Sequence, residues 1–407
     1  MERMAEIVPD VNEQQLQYII SDADWEYRPV LDKIAQDVDT LIGGDGNTSL
    51  NIDETSFIKK GKKSVGVARQ WCGRLGKVEN CQVAVFAALA NNRFTTLIDE
   101  RLYLPEEWTK DKKRCIKAGI PESEIVQKSK AEIAFEMVTD KRKQGIRFAW
   151  TGFDGGYGKD PGLLRKMDTA GEIFMADVHC DQRIYLEDPR PQIPASTSSR
   201  GRQPTRLKAQ TKAIRVDQWA SQQAPDSWQR LEIRESTKGT LKADFLHQRV
   251  WSWDGKEVAA HCWHLVVRKE IQSPDEIKYS LSNAVPYTST QRLAFMQGQR
   301  FWVEHALKNG KSHSGLADYQ VRSWRGWHHH VAFVLTAMLF MLSEQLESQD
   351  SFPLLSCSDI EGLLKHFLPK KKMNQKEVLQ QMILRHEKRQ RSIDYARLRQ
   401  KTIENQQ

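Results

Sequence analysis

The sequence predicts an α/β protein: a mixed sheet flanked by helices, with a β-rich insertion ahead of the last core helices. Three observations lead to this. Extended runs follow one another at hairpin spacing between residues 48 and 98. From 129 to 178, helical and extended patterns alternate, as a right-handed strand–helix–strand unit requires. From 211 to about 282, short alternating runs recur, and helical periodicity returns near Thr290.

Taken in order, residues 1–45 read as helical. Leu16, Ile19 and Ile20 share one face, and Val30, Ile34, Val38 and Leu41 make a second amphipathic stretch. Gly43-Gly44-Asp45-Gly46-Asn47 is a turn cluster. Strands are expected at 48–53, 64–71, 82–89 and 94–98. A helix is expected over 129–143 with Ile133, Met137 and Val138 inside, closed by Gly145 and followed by a strand at 146–153. Asp160-Pro161 opens another helix that stops near Gly171, and a strand follows at 172–178. Residues 186–206 carry Pro189, Pro191, Pro194 and Pro204 with a Ser/Thr cluster, which makes them irregular. The insertion's runs lie at 231–234, 249–253 and 261–269. In 370–401, eleven Lys/Arg face only Glu377, Glu387 and Asp394, so a basic helix with a frayed end is expected. The resulting organisation is an N-terminal helical segment (1–46), a first core part (47–182), the β-rich insertion (183–288), a second core part (289–345) and a basic helical tail (346–407).

Composition narrows the function. At 407 residues the chain exceeds the usual single-domain size. A hydrophobic share of 39% with 28% charged residues suits a globular protein in water. The net charge of +8 favours phosphate backbones as partners. Cys72, Cys81, Cys115, Cys180, Cys262 and Cys357 are scattered with no CxxC pair, which argues against a disulfide framework or a zinc ribbon and fits a reducing cytoplasm. The start, Met1 to Glu6, has no apolar signal core. The longest apolar run, 331–342, is too short to cross a bilayer and reads as a buried helix, so no membrane partner is expected.

Three acids carry the chemistry. Asp53 ends the run Ser49-Leu50-Asn51-Ile52, and Asp154 ends Phe148 to Phe153 and precedes Gly155-Gly156-Tyr157-Gly158. Both are expected exposed at strand C-termini, the edge where open α/β sheets bind ligands. Each alone is more readily a turn or cap residue. Glu304 follows Arg300 by four residues and precedes Lys311 by seven, offsets that return to nearly one helical face. Gly310 leaves Lys311 either on that helix or on the following turn. A carboxylate between two cations suits a metal ligand beside bound phosphates, and the plainer reading is an i,i+4 ion pair. Together the three carboxylates can hold a pair of divalent ions for in-line phosphoryl displacement, which in a basic protein points to nuclease-type chemistry.

Other constellations are weaker. His328-His329-His330 and His261-x-x-His264 lack the partners of a tetrahedral zinc site. No nucleophile elbow and no Walker loop occurs. Lys59 to Lys63 and the 200–215 segment are candidate phosphate contacts or solvated surface. Trp324 and Trp327, among Arg322 and Arg325, are stacking platforms or core residues.

From about Gln15 to about Leu342, the chain resembles bacterial insertion-sequence transposases of the DDE type. The resemblance is carried by Ile52-Asp53-Glu54-Thr55-Ser56-Phe57, by 62–82 (KKSVGVARQWCGRLGKVENCQ), Leu104-Pro105-Glu106-Glu107-Trp108, Asp154-Gly155-Gly156-Tyr157-Gly158 and 318–330 (DYQVRSWRGWHHH). It implies a ribonuclease H-like fold with Asp53, Asp154 and Glu304 as the acidic triad. Arg300, Glu304 and Lys311 match the group's Tyr-Arg-Glu-Lys signature, with Gln297 in place of the Tyr. Similar proteins usually carry more sequence ahead of the region that begins here, and it helps to bind the element's ends. The implied activity is metal-dependent strand cleavage at the ends of an insertion sequence, then attack of the freed 3′-hydroxyl on target DNA. The implied cofactor is Mg²⁺, or Mn²⁺, with two ions per site and Asp53 bridging them. The implied partners are duplex DNA, as terminal inverted repeats and as target, and a second copy of the chain on DNA, at the bacterial nucleoid. A silent DNA-binding remnant of a mobile element, or a nuclease of this fold without strand transfer, would share most of these features.

Overall fold

The computed structural model describes residues 8–195, 203–236 and 239–404. Residues 20–361 form one unit, and residues 1–19 with 362–407 form another. The first helices among the described residues are α1 (Glu13–Ser21) and α2 (Tyr27–Ile42). On α2 the buried stripe is Leu31, Ile34, Ala35, Val38 and Ile42. Leu41, expected inside, is exposed, because a stripe that starts at Leu31 returns at Ile42 and not one residue earlier.

A meander follows: β1 (Thr48–Ile58), β2 (Ala68–Cys72), β3 (Lys77–Asn91) and β4 (Phe94–Leu102). β1 and β3 are longer than their apolar runs because they stay paired, antiparallel, from Thr48↔Asn91 to Ile58↔Cys81. Residues 64–67 are not strand, and the Val65 N–H donates to the Arg322 carbonyl instead. Two short helices, α3 (Glu106–Thr109) and α4 (Lys112–Lys117), lead to α5 (Lys130–Lys143). A capping box between Ser129 and Glu132 starts α5, which buries Ile133, Ala134, Met137 and Val138. Lys141 is buried with them, its Nζ 3.0 Å from Asp99 Oδ2.

β5 (Trp150–Phe153) is shorter than expected, since residues 146 and 147 donate their N–H groups to Lys141 and Asp39 rather than to a strand. Then come α6 (Gly155–Gly158), α7 (Pro161–Thr169) and β6 (Phe174–Val178). β5 lies parallel between β1 and β6, with Ile52↔Phe153 and Phe153↔Ala176 in register. The strand order β4-β3-β1-β5-β6, with β3 antiparallel to β1, is a ribonuclease H-like sheet.

The β-rich stretch contributes β7 (Arg183–Ile184), β8 (Ile214–Arg215), α8 (Val216–Ser221), β9 (Gln229–Ser236), β10 (Gly239–Ser252), β11 (His261–Glu270) and β12 (Ile277–Ser282). β7 and β8 pair alone. β12 pairs antiparallel with β6, and β11, β10 and β9 follow, so these strands extend the core sheet to ten strands. In the proline-rich segment, residues 196–202 lie outside the described residues, and a single bridge joins Gln192 to Lys208.

Helices then return as α9 (Thr290–Gln299), α10 (Phe301–His313), α11 (Trp324–Glu347), α12 (Cys357–Phe367) and α13 (Gln375–Glu404). By length and composition α11 could cross a membrane, but its Trp327, Val331, Leu335 and Leu342 are buried in the main core. Trp324 and Trp327 are therefore core residues. The buried Glu100 carboxylate accepts from Trp327 Nε1–H at 2.9 Å and meets His328 Nδ1. His329 places its two ring nitrogens 3.1 and 2.9 Å from the Ile20 and Trp25 carbonyls. On α13, Lys388 pairs with Glu13 at 3.3 Å, while Val378, Leu379, Met382 and Ile383 are exposed.

Candidate active site

The parallel register of Ile52 with Phe153 makes Asp53 and Asp154 the next neighbours on one face of the sheet. Asp53 sits in the middle of β1, not at a strand end, and its side chain is only 14% exposed. Asp154 does end β5, where it caps α6, accepting the Gly156 and Tyr157 N–H groups at 2.9 and 3.2 Å. It too is half-buried rather than exposed. The glycines after it serve packing as well as access: a Cβ on Gly158 would overlap the Asp177 carbonyl.

α10 brings Arg300, at its N-cap, and Glu304, in its first turn, to the same place. Arg300 Nη2 donates to Glu304 Oε1 at 2.7 Å, Nε donates to Asp177 Oδ2 at 3.0 Å, and Nη1 lies 4.0 Å from Asp53 Oδ2. The helix runs on through Gly310, whose bare backbone packs against Met338 and Leu316, so Lys311 stays on it. Lys311 Nζ donates to Thr55 Oγ1, two residues along β1 from Asp53. All five expected site residues thus gather at one region of one sheet face.

Sequence reasoning missed the second row of the site. Asp177 lies on β6 one residue past Ala176, the partner of Phe153, so it stands level with Asp154. It accepts Ser280 Oγ–H at 2.6 Å, and Ser280 in turn accepts Gln297 Nε2–H at 2.7 Å. Asp177 carried a usable signal, an acid near the end of the extended run 172–178. Ser280 and Gln297 carried none, because their role depends on β12 pairing with β6. Glu54, next to Asp53 on the other face, is tied to Lys130 at 2.5 Å.

Electrostatics single out Asp53. Burial, then the neighbouring Asp154 charge, pushes its carboxyl up to about 7, against the pull of Arg300 and the Glu54 N–H. Burial works against a charged Arg300, but Asp177, Glu304 and Asp53 outweigh it and hold the guanidinium firmly protonated. Burial and the Arg74 charge lower Lys311. The two adjacent, partly buried carboxylates offer oxygen donors that fit a hard divalent cation. Among the described residues, no three carboxylate, imidazole or thiolate side chains already close on one point. Asp53 and Asp154 stand as a neighbouring pair, while Glu304 is turned to Arg300.

A profile of the family described as DDE superfamily endonuclease matches residues 1–240, more than half of the chain. The chain belongs to that family. This DDE endonuclease is an enzyme that acts on DNA, and nucleases of the family generally use divalent metal ions. The match takes in Asp53 and Asp154 and stops short of Glu304. The DDE endonuclease is also 22% identical, over 321 residues, to a probable transposase for insertion sequence element IS701 from Microchaete diplosiphon. That alignment covers 78% of this chain and 71% of the relative. A solved NurA nuclease from Sulfolobus solfataricus overlaps 84% of this chain and 98% of its own, at 10% identity and a TM-score of 0.26, a level that carries no weight for fold or function.

Several of the remaining candidates of the DDE endonuclease have structural partners. His261 bridges Asp168 and Glu257 at 2.8 and 2.9 Å, and His264 faces the other way to His247 at 2.7 Å. Lys59 donates to the Tyr319 carbonyl at 3.0 Å, whereas Lys60, Lys62 and Lys63 are exposed. Arg215 is tied to Asp217 at 2.6 Å.

Proposed function

We propose that this DDE endonuclease is an insertion-sequence transposase, cleaving strands at the ends of its element and joining the freed 3′-hydroxyl to target DNA. The observation that carries this reading is the side-by-side placement of Asp53 and Asp154, with Glu304 reaching the same site through Arg300. Asp53, Asp154 and Glu304 are the residues that would hold divalent ions, Mg²⁺ or Mn²⁺, two per site. Such ions supply the charge that activates the attacking oxygen and stabilises the leaving one.

The chain's own groups do the rest. Arg300 presents a rigid fork of N–H donors beside Asp53, suited to the non-bridging oxygens of the scissile phosphate. Lys311, held over Thr55, adds a compact positive charge on the same side. The half-buried setting of Asp53 and Asp154 limits water at the reacting phosphorus. Duplex DNA, first as inverted repeat and then as target, is the substrate, and two copies of the chain would bring two ends together.

The test is incubation of the full chain with Mg²⁺ and duplexes bearing the inverted repeats that flank its gene, together with a target plasmid. Nicks leaving 3′-hydroxyls and joined products support the proposal. Nicks without joining make it a nuclease of this fold, and binding without nicks makes it a silent remnant.

A further inference from the structure

We propose that Asp177 is a positioning residue for this chemistry, fixing Arg300 so that one guanidinium edge faces the Asp53 side of the site, where the scissile phosphate lies. The inference rests on the function proposed above and adds to it a residue outside the acidic triad and its basic signature.

Asp177 and Ser280 are direct partners on β6 and β12. Side chains of paired residues share a face, so the row Asp53, Asp154, Asp177, Ser280 crosses four adjacent strands on one side. Arg300 lies across that row. Its Nε donates to Asp177 at 3.0 Å and its Nη2 to Glu304 at 2.7 Å, which sets the plane of the fork. Nη1 is left 4.0 Å from Asp53 Oδ2, too far for a hydrogen bond and aimed at the site.

Asp177 is itself held. Ser280 Oγ–H donates to its second oxygen, and the buried Gln297 side chain donates to Ser280. This gives Gln297, which stands where the related signature has a Tyr, an inward role. With Asp177 removed, the guanidinium, still held by Glu304, is free to swing onto Asp53 and to compete with cations for its carboxylate. Asp177 therefore aims Arg300 and also keeps it from closing the site. Strand β12 and helix α9 act on the reaction through this contact, although neither carries a member of the triad.

The experiment is a double-mutant cycle in the full-length chain. Asp177→Ala, Asp177→Asn, Ser280→Ala, Arg300→Ala and the Asp177→Ala/Arg300→Ala pair are compared for cleavage of an end duplex with Mg²⁺. Their affinity for the same duplex is measured in EDTA. Asp177→Ala is expected to lower cleavage by about 100-fold, the scale of an ångström-sized misplacement. Asp177→Asn falls between, because its amide oxygen still accepts from Nε. On the Arg300→Ala background, Asp177→Ala has less than about a twofold further effect, in cleavage and in metal-free binding alike. A merely structural Asp177 would keep its full penalty on that background, and that result overturns the proposal, as does wild-type cleavage in Asp177→Ala. Should Asp177→Ala melt early, Asp177→Asn and Ser280→Ala decide by the same comparison. If the wild type cuts no DNA, the proposed function fails, while the metal-free binding cycle still decides whether Asp177 acts through Arg300.

Discussion

Asp53 and Asp154 stand next to each other on parallel strands, and burial with this like-charged neighbour pushes the Asp53 carboxyl up to about 7. In the unfolded chain the same group titrates near 4. Between these values the folded state binds more protons than the unfolded state, so stability falls as pH rises across that window. The metal-free protein is thus expected to lose melting temperature from about pH 4 to about pH 7 at this site. Asp53→Asn should melt above wild type at pH 8 in EDTA and level with it near pH 4. Adding Mg²⁺ at pH 8 should raise the wild type and leave Asp53→Asn unchanged. An Asp53→Asn protein that gains as much from Mg²⁺ as the wild type would remove Asp53 from the ligand set.

Glu304 accepts from Arg300, and a Gln at that position can still accept while losing its charge. Glu304→Gln is therefore expected to keep its melting temperature and to bind duplex within about twofold of wild type, yet to have lost cleavage. Gel-based cleavage and fluorescence anisotropy on one DNA would check both halves. Retained cleavage would reduce the Arg300–Glu304 contact to an ordinary helical ion pair.

The 318–330 block is expected to act on stability and not on DNA. Glu100→Ala leaves Trp327 Nε1–H and His328 Nδ1 without their partner in the core. Leaving buried donors without their acceptor costs about 1–3 kcal/mol. Denaturant titration should show an unfolding free energy lowered by that amount. A loss of under about 1 kcal/mol would mean that water reaches this cluster.

The basic tail offers a salt-dependence test. Truncation after Leu368 removes the Lys/Arg of α13 and should weaken duplex binding. Each lost phosphate contact should flatten the slope of log affinity against log salt by about 0.9. If the slope holds and the mass in solution drops, the exposed Val378, Leu379, Met382 and Ile383 stripe is instead an interface between copies.

Much of this was legible in the residues. The meander, the strand–helix–strand unit and the α5 stripe follow from apolar periodicity, and the three acids proposed as the triad stand out by their settings. What periodicity could not give is pairing. Polar residues Glu54, Thr55 and Ser56 continue β1 only because β3 supplies their hydrogen bonds, and this places Asp53 in mid-strand. β12 closing on β6 merges the β-rich stretch with the core sheet and brings Ser280 to Asp177. Gln297 looked like a departure from a signature, and its contact with Ser280 depends on that same pairing. Trp324 and Trp327 could be read from sequence as platforms or as core, and only the packing of α11 decides for core.

If Asp53, Asp154 and Glu304 hold divalent ions together, iron-directed chain cleavage reports all three positions at once. Fe²⁺ replaces Mg²⁺ in the DNA-bound protein, and ascorbate with peroxide then generates radicals that cut the backbone within a few residues of the ion. The account predicts three clusters of cuts, near residues 53, 154 and 304, all suppressed by excess Mg²⁺ and absent in Asp53→Asn. Cuts near only one of these positions, or at an unrelated site such as the His261 cluster, would contradict it.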